Sequence, residues 1–130
     1  MEGHYVFRVT VRFTSPRAAV RIDPATAETT VTLRYEAPEP GTEGWLFFRN
    51  TLWRGEVGDE AHARDLAAEW LAIDDDRIVG VSFRELQVDE AYLDALEAAI
   101  DADLDLFNAD SVSEARSKYL GSSIRVVDGT

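Results

Sequence analysis

Between residues 4 and 14 the apolar side chains Tyr5, Phe7, Val9, Val11 and Phe13 take every second position, among neighbours that include Arg8, Thr10 and Arg12. A period of two puts the two sets on opposite faces of an extended strand, so this segment can bury its apolar side chains only as one face of a sheet. Residues 29–36 repeat the pattern with Val31, Leu33 and Tyr35 set against Thr30, Thr32 and Arg34. Residues 79–84 do so again, with Val79, Val81 and Phe83 against Gly80, Ser82 and Arg84. Residues 15–27 hold Pro16 and Pro24 and are expected to be a loop, with residues 20–22 as one brief extension of the sheet. After a turn rich in Pro38, Pro40, Gly41 and Gly44, the all-apolar residues 45–48 are expected to form a third strand, central or covered on both faces. The first three strands would then make an antiparallel meander.

Helical spacing takes over between and after the strands. Asp59 is an N-cap type for a helix running to about residue 72, whose stripe is Ala63, Leu66, Ala67, Trp70 and Leu71 and whose surface pairs Glu60 with Arg64. Asp74, Asp75 and Asp76 form a turn. A longer helix opens at Asp89, with Leu93, Leu96, Ile100, Leu104 and Phe107 on its apolar face and Asp94, Glu97, Asp101 and Asp105 on the other. Ser111 and Glu114 have capping-box spacing, so a short helix should run to about residue 120 and stop at Gly121. Residues 124–127 are a last short strand. The expected fold class is α+β: a single domain over residues 1–130, with an antiparallel or mixed sheet of four to five strands, helices packed on one face, and the order β-β-β-α-β-α-α-β.

The charge pattern bears on environment. Asp and Glu number 25 against 13 Lys and Arg, a net charge of −12, and Lys118 is the lone lysine. Self-repulsion on that scale opposes a compact state in dilute buffer, whereas at molar salt the Debye length contracts to about 3 Å and screens it. Arginine, more weakly hydrated than lysine and able to grip carboxylates through a planar fork, suits the same setting. The chain is thus expected to work in a salt-filled cytoplasm. It has no apolar run long enough for a membrane span and no secretory signal pattern, and the absence of cysteine excludes disulfides, thiolate metal sites and a cysteine nucleophile.

The run GWLFFRNTLWRGEV at residues 44–57, with DEAH at 59–62, SFREL at 82–86, DEAYL at 89–93, LFNADSV at 106–112 and SKYLGSSI at 117–124, resembles the LWR-salt proteins, small proteins of halophilic archaea. The label reflects Leu52, Trp53 and Arg54 together with the acidic composition. The resemblance covers most of the chain and implies a saline environment. It implies no activity, and no catalytic residue follows from it.

Two groups of residues are candidates for binding. Arg49, Leu52, Trp53 and Arg54 bring together the residue types that dominate interface energetics. The expectation is that Trp45, Phe47 and Trp53 lie in the core with Arg54 covering them; a hot spot for a protein partner is the competing reading. The second group is Arg8, Arg12, Arg34, Arg84 and Arg125, which strand parity turns away from the core. The expectation is that each pairs with a carboxylate such as Glu36 or Glu85, or is covered by another element. The competing reading is a face that binds RNA phosphates or a small phosphorylated ligand, although phosphate-driven affinity for nucleic acid falls steeply with salt.

Catalytic chemistry finds little support. His4 and His62 are the only histidines, and neither lies in a hydrolase signature; His62 with Asp65 or Glu69 is too few ligands for a structural zinc. Asp101, Asp103 and Asp105 open like a calcium loop, yet Leu106 and Val112 stand where that loop needs Gly and Glu. No phosphate-binding glycine loop is present, and Lys118 with its neighbouring serines lies at a helix carboxyl end, which disfavours anions. No catalytic residue, metal or cofactor is assigned. The expected function is protein interaction or small-scale regulation, through a protein partner or a second copy, with anion binding next and a carboxylate-dependent enzyme a distant third.

Overall fold

A computed structural model describes residues 1–14 and 26–127. The first two alternating segments form β1 (Gly3–Thr14) and β2 (Thr26–Glu36), which pair antiparallel in unbroken register. On the other side of β1 lies β5 (Ile78–Val88), also antiparallel, and β6 (Ile124–Val126) joins β5 in parallel. The sheet is therefore mixed and four-stranded, in the order β2-β1-β5-β6, and the class is α+β. The expected three-strand meander is absent, since the strand next to β1 on its other side is β5 and no strand from residues 45–48 joins the sheet. Of the loop expected at residues 15–27, the last two belong to β2 and the rest lie outside the described residues.

β5 is longer than its alternation suggested because two irregularities interrupt the period. Its register against β1 shifts between Thr10 and Val11 and between Val6 and Phe7, leaving Val79 and Arg84 as the extra residues. Each shift flips the parity. Ile78, rather than Val79, therefore stands opposite Val11, and Leu86 and Val88 are buried beyond Arg84.

Residues 45–48 are not a strand. Turns through residues 40–46, with Gly41 and Gly44 at φ 86° and 84°, lead into α1 (Phe47–Thr51). A short, wholly apolar run fits a buried helix as well as a buried strand, and here the turn decides between them. The helix serves two aromatic groups. Phe47 meets Tyr5, Phe7, Tyr35 and Trp70 against the sheet, while Phe48 meets Trp45, Phe107 and Tyr119 among the later elements.

α2 (Glu60–Leu71) starts where Asp59 accepts the His62 N–H, ends on Ala72 at φ 55°, and carries the Glu60–Arg64 ion pair at 3.7 Å. α3 (Glu90–Ala102) is capped by Asp89, which accepts the N–H of Tyr92 at 2.8 Å and that of Glu2 at 2.9 Å, tying the start of β1 to the helix. These bonds, the Tyr92 one foremost, hold the Asp89 carboxyl below its usual range. Leu96 and Ile100 are buried as expected, with Tyr92 deeper than Leu93 in the first turn. The helix stops at Ala102, short of the expected reach to Phe107, and Leu104–Phe107 forms a separate 3-10 turn that buries Phe107. Burial pushes the Tyr92 hydroxyl up to about 12, and it donates to the Pro38 carbonyl at 2.8 Å. α4 (Val112–Tyr119) starts on half of the expected capping box: Ser111 accepts the Glu114 N–H, while Glu114 reaches back past the cap to the Asp110 N–H, each at 3.1 Å.

Candidate interaction surfaces

Leu52, Trp53 and Arg54 fall on a miniature hairpin. β3 (Leu52–Trp53) pairs antiparallel with β4 (Glu56–Val57), and the two-residue turn between them, Arg54 and Gly55, has φ 53° and 81°. Two successive positive φ values give the tight turn whose twist matches paired strands, and glycine relieves the second position. Alternation along so short a strand separates the motif's residues. Leu52 is buried at 3%, whereas Trp53 is 45% exposed. The expectation that Trp53 belongs to the core is therefore corrected; the half-buried Trp45 and Phe47 do pack against the core.

The tip is fastened to the carboxyl end of α4. The Arg54 N–H donates to the Lys118 carbonyl at 2.8 Å, and the Gly55 N–H donates to the Tyr119 carbonyl at 2.9 Å. Those carbonyls lie in the last turn of a helix, where acceptors lack intrahelical donors, so each bond satisfies an orphan of the other element. Gly121, at φ 58°, lets the Arg54 carbonyl approach to 3.0 Å from where a Cβ would stand. Trp53 rests edge-on against Tyr119 at 5.9 Å, and the Arg54 guanidinium lies over the indole at 5.8 Å. Arg49 is exposed on α1 and hydrogen-bonds to the Asn50 side chain. Of the four candidates, then, Trp53 and Arg54 form one surface and Leu52 anchors it from below.

The contribution of α4 to this tip was not visible in the sequence, because its partners lie more than 60 positions away. Lys118 has a local role as well: its ammonium donates to the carbonyls of Phe107 and Asn108 at 3.2 and 3.0 Å, closing the turn before α4.

The arginine group lies on the sheet face opposite the core. Register places Arg8, Arg12, Arg34 and Arg125 on that face, alongside Thr10, Thr30, Thr32, Ser82 and Gln87. Arg84, the extra residue of a bulge, is exposed beside Glu85. Most of the guanidiniums are engaged. Arg12 meets Glu28 at 3.4 Å, Arg34 donates to Gln87 at 3.1 Å, and Arg125 grips Glu85 through two hydrogen bonds of 2.7 and 3.1 Å. Gln87 in turn donates to Glu85 at 3.3 Å, so a polar chain runs from β2 to β6 across Val6, which it helps to bury. The fork of Arg125 holds the Glu85 carboxyl below its usual range. Among the described residues, no hydrogen bond or ion pair engages Arg8 or Arg84. Glu36, suggested as a partner for an arginine, is opposite His4. Arg84 and Arg125 also flank a shallow groove with Ser122 and Ser123.

The remaining polar candidates are dispersed. His62 is in the exposed first turn of α2, and His4 is half-buried at the far end of β1. No helix among the described residues is long and apolar enough to cross a membrane.

A family model described as LWR-salt protein matches residues 1–130, and the chain belongs to that family. No curated protein and no solved structure matches it.

Proposed function

We propose that this LWR-salt protein is a non-enzymatic interaction module of a halophilic cytoplasm, and that the Trp53–Arg54 tip is its contact for a protein partner. The observation that carries this reading is the 45% exposure of a tryptophan held in place from behind by the core. Trp and Arg dominate interface energetics, and side chains already fixed in one geometry lose little freedom on binding. Both conditions are met where Tyr119 supports the indole, Arg54 lies across it, and two backbone bonds fix the turn.

The saline setting is supported by the net charge of −12 and by twelve arginines to one lysine. Thermal unfolding should therefore shift upward as KCl is raised from millimolar to molar, because screening removes self-repulsion while hydrophobic burial is retained. A melting temperature that falls steadily over that range would contradict a halophilic protein.

A second reading is favoured by one observation: the outer sheet face carries Arg8, Arg12, Arg34, Arg84 and Arg125 against Glu28, Glu36 and Glu85, a local excess of positive charge on an acidic protein. Such a face could take a phosphorylated ligand or RNA. Its described residues include no aromatic side chain for base stacking, the contribution that would have to hold RNA in brine. Affinity capture from a molar-salt lysate, run with nuclease and mock arms, separates the readings. The proposal expects a protein retained in both arms; retention of nucleic acid in the mock arm alone would transfer the function to the arginine face.

A further inference from the structure

Beyond the Trp53 tip, the long open edge of the sheet has the features of a second interface. β2 is an edge strand of eleven residues and, among the described residues, is paired within the sheet only with β1. Exposed edges of that length invite further strand pairing, and monomeric proteins blunt them with proline, lysine, bulges or charges turned inward. β2 has none of these. It contains no Pro, Gly or Lys, its register against β1 has no irregularity, and the core-side residues Thr29, Val31, Leu33 and Tyr35 are all uncharged. The opposite edge is protected differently, since β6 has three residues and β4 lies beside the middle of β5.

We infer that β2 pairs antiparallel with β2 of a second copy of this chain, about a two-fold axis at Val31, giving a continuous eight-stranded sheet. The strand is self-complementary about that residue, its midpoint. With Val31 opposite the partner's Val31, Glu28 stands opposite the partner's Arg34, Thr30 opposite the partner's Thr32, and Thr29 opposite the partner's Leu33. Symmetry makes each of these contacts twice. Opposite charges and threonine pairs facing each other across neighbouring strands are stabilising arrangements. Other registers lose this match. Centring the axis on Thr32 opposes Glu28 to the partner's Glu36, two like charges, and centring it on Thr30 puts Glu28 opposite the partner's Thr32 with no ion pair. The groove that Thr32, Arg34 and Glu36 form with Trp70 and Leu71 lies along the same edge and would be covered by the partner strand. The arrangement keeps Arg8 and Arg12 on the same side in both copies and leaves the Trp53 tip out of the contact.

Sedimentation analysis of the full chain in molar KCl, where the net charge is screened, tests the pairing. The wild type should be a dimer. Glu28→Arg and Arg34→Glu, each alone, replace both ionic contacts with like-charge contacts and should weaken association roughly 5-fold, since molar salt screens part of the effect at exposed pairs. Each should remain folded by circular dichroism, since these residues are exposed. Mixing the two single variants should restore a heterodimer, because Arg at 28 in one copy then meets Glu at 34 in the other; the double variant should also dimerise. A monomeric wild type, or a dimer indifferent to both reversals, would overturn the pairing. Trp53→Ala should leave the dimer intact, so a failure here is distinguishable from a failure of the partner-binding reading.

Discussion

Replacing Phe48 with alanine should remove about 3–5 kcal/mol of stability, the range for truncating a buried aromatic side chain. Phe48 is fully buried and stacks on Phe107 at 5.6 Å with the rings only 12° apart, while Tyr119 and Trp45 meet it at 6.2 and 6.3 Å. Those neighbours come from the turn before α1, the turn before α4, and α4 itself. A cavity walled by separate elements closes poorly, because filling it would mean moving several backbones together. Typical domains are stable by only about 5–15 kcal/mol, so the loss is a large share of the whole. Urea titration in molar KCl should show a much lower midpoint with an unchanged slope. A midpoint within experimental error of the wild type would mean that Phe48 is not a core residue.

Gly55→Ala should cost about 2–3 kcal/mol for two reasons that a control can separate. At φ 81° any Cβ is strained, by about 1 kcal/mol. At this position the new atom would also stand 2.8 Å from the Ser123 hydroxyl oxygen and 2.9 Å from the Leu120 carbonyl oxygen. The serine can rotate; the carbonyl belongs to the end of α4 and cannot move without releasing the hairpin. Gly41 has φ 86° but nothing within 4 Å of its Cβ position, so Gly41→Ala should show the conformational cost alone. The difference between the two variants in thermal unfolding isolates the docking of the tip. Equal losses would mean that the tip is not seated on α4.

The strands and helices were largely readable because they obey simple periods. Alternation located β1 and most of β2, and the caps at Asp59, Asp89 and Ser111 marked three helix starts. Two kinds of information were missing. Local pattern cannot assign an all-apolar run, so residues 45–48 read as strand although Gly44 turns the chain into α1. Periodicity also assumes an unbroken register, and the bulges at Val79 and Arg84 reset the parity of β5, hiding Leu86 and Val88 from it.

The candidate surfaces were legible to different degrees for a related reason. Parity alone put Arg8, Arg12, Arg34 and Arg125 on one face, yet which of them find partners depends on neighbours two strands away, as with Arg34 and Gln87. The exposure of Trp53 was harder to read. It depends on a two-residue strand that buries Leu52 and turns the next side chain outward, and on the distant carbonyls of Lys118 and Tyr119.

Trp53→Ala tests the central claim most directly when its capture of partner is measured in molar KCl beside its urea midpoint. Losing the half-exposed indole removes an edge contact with Tyr119 and an arginine stack, together worth about 1–2 kcal/mol, so the variant should stay folded. Partner retention should drop at least about 30-fold, the loss of an interface hot spot. A variant that retains the partner fully, or that unfolds as readily as Phe48→Ala, would show that Trp53 serves the fold rather than recognition.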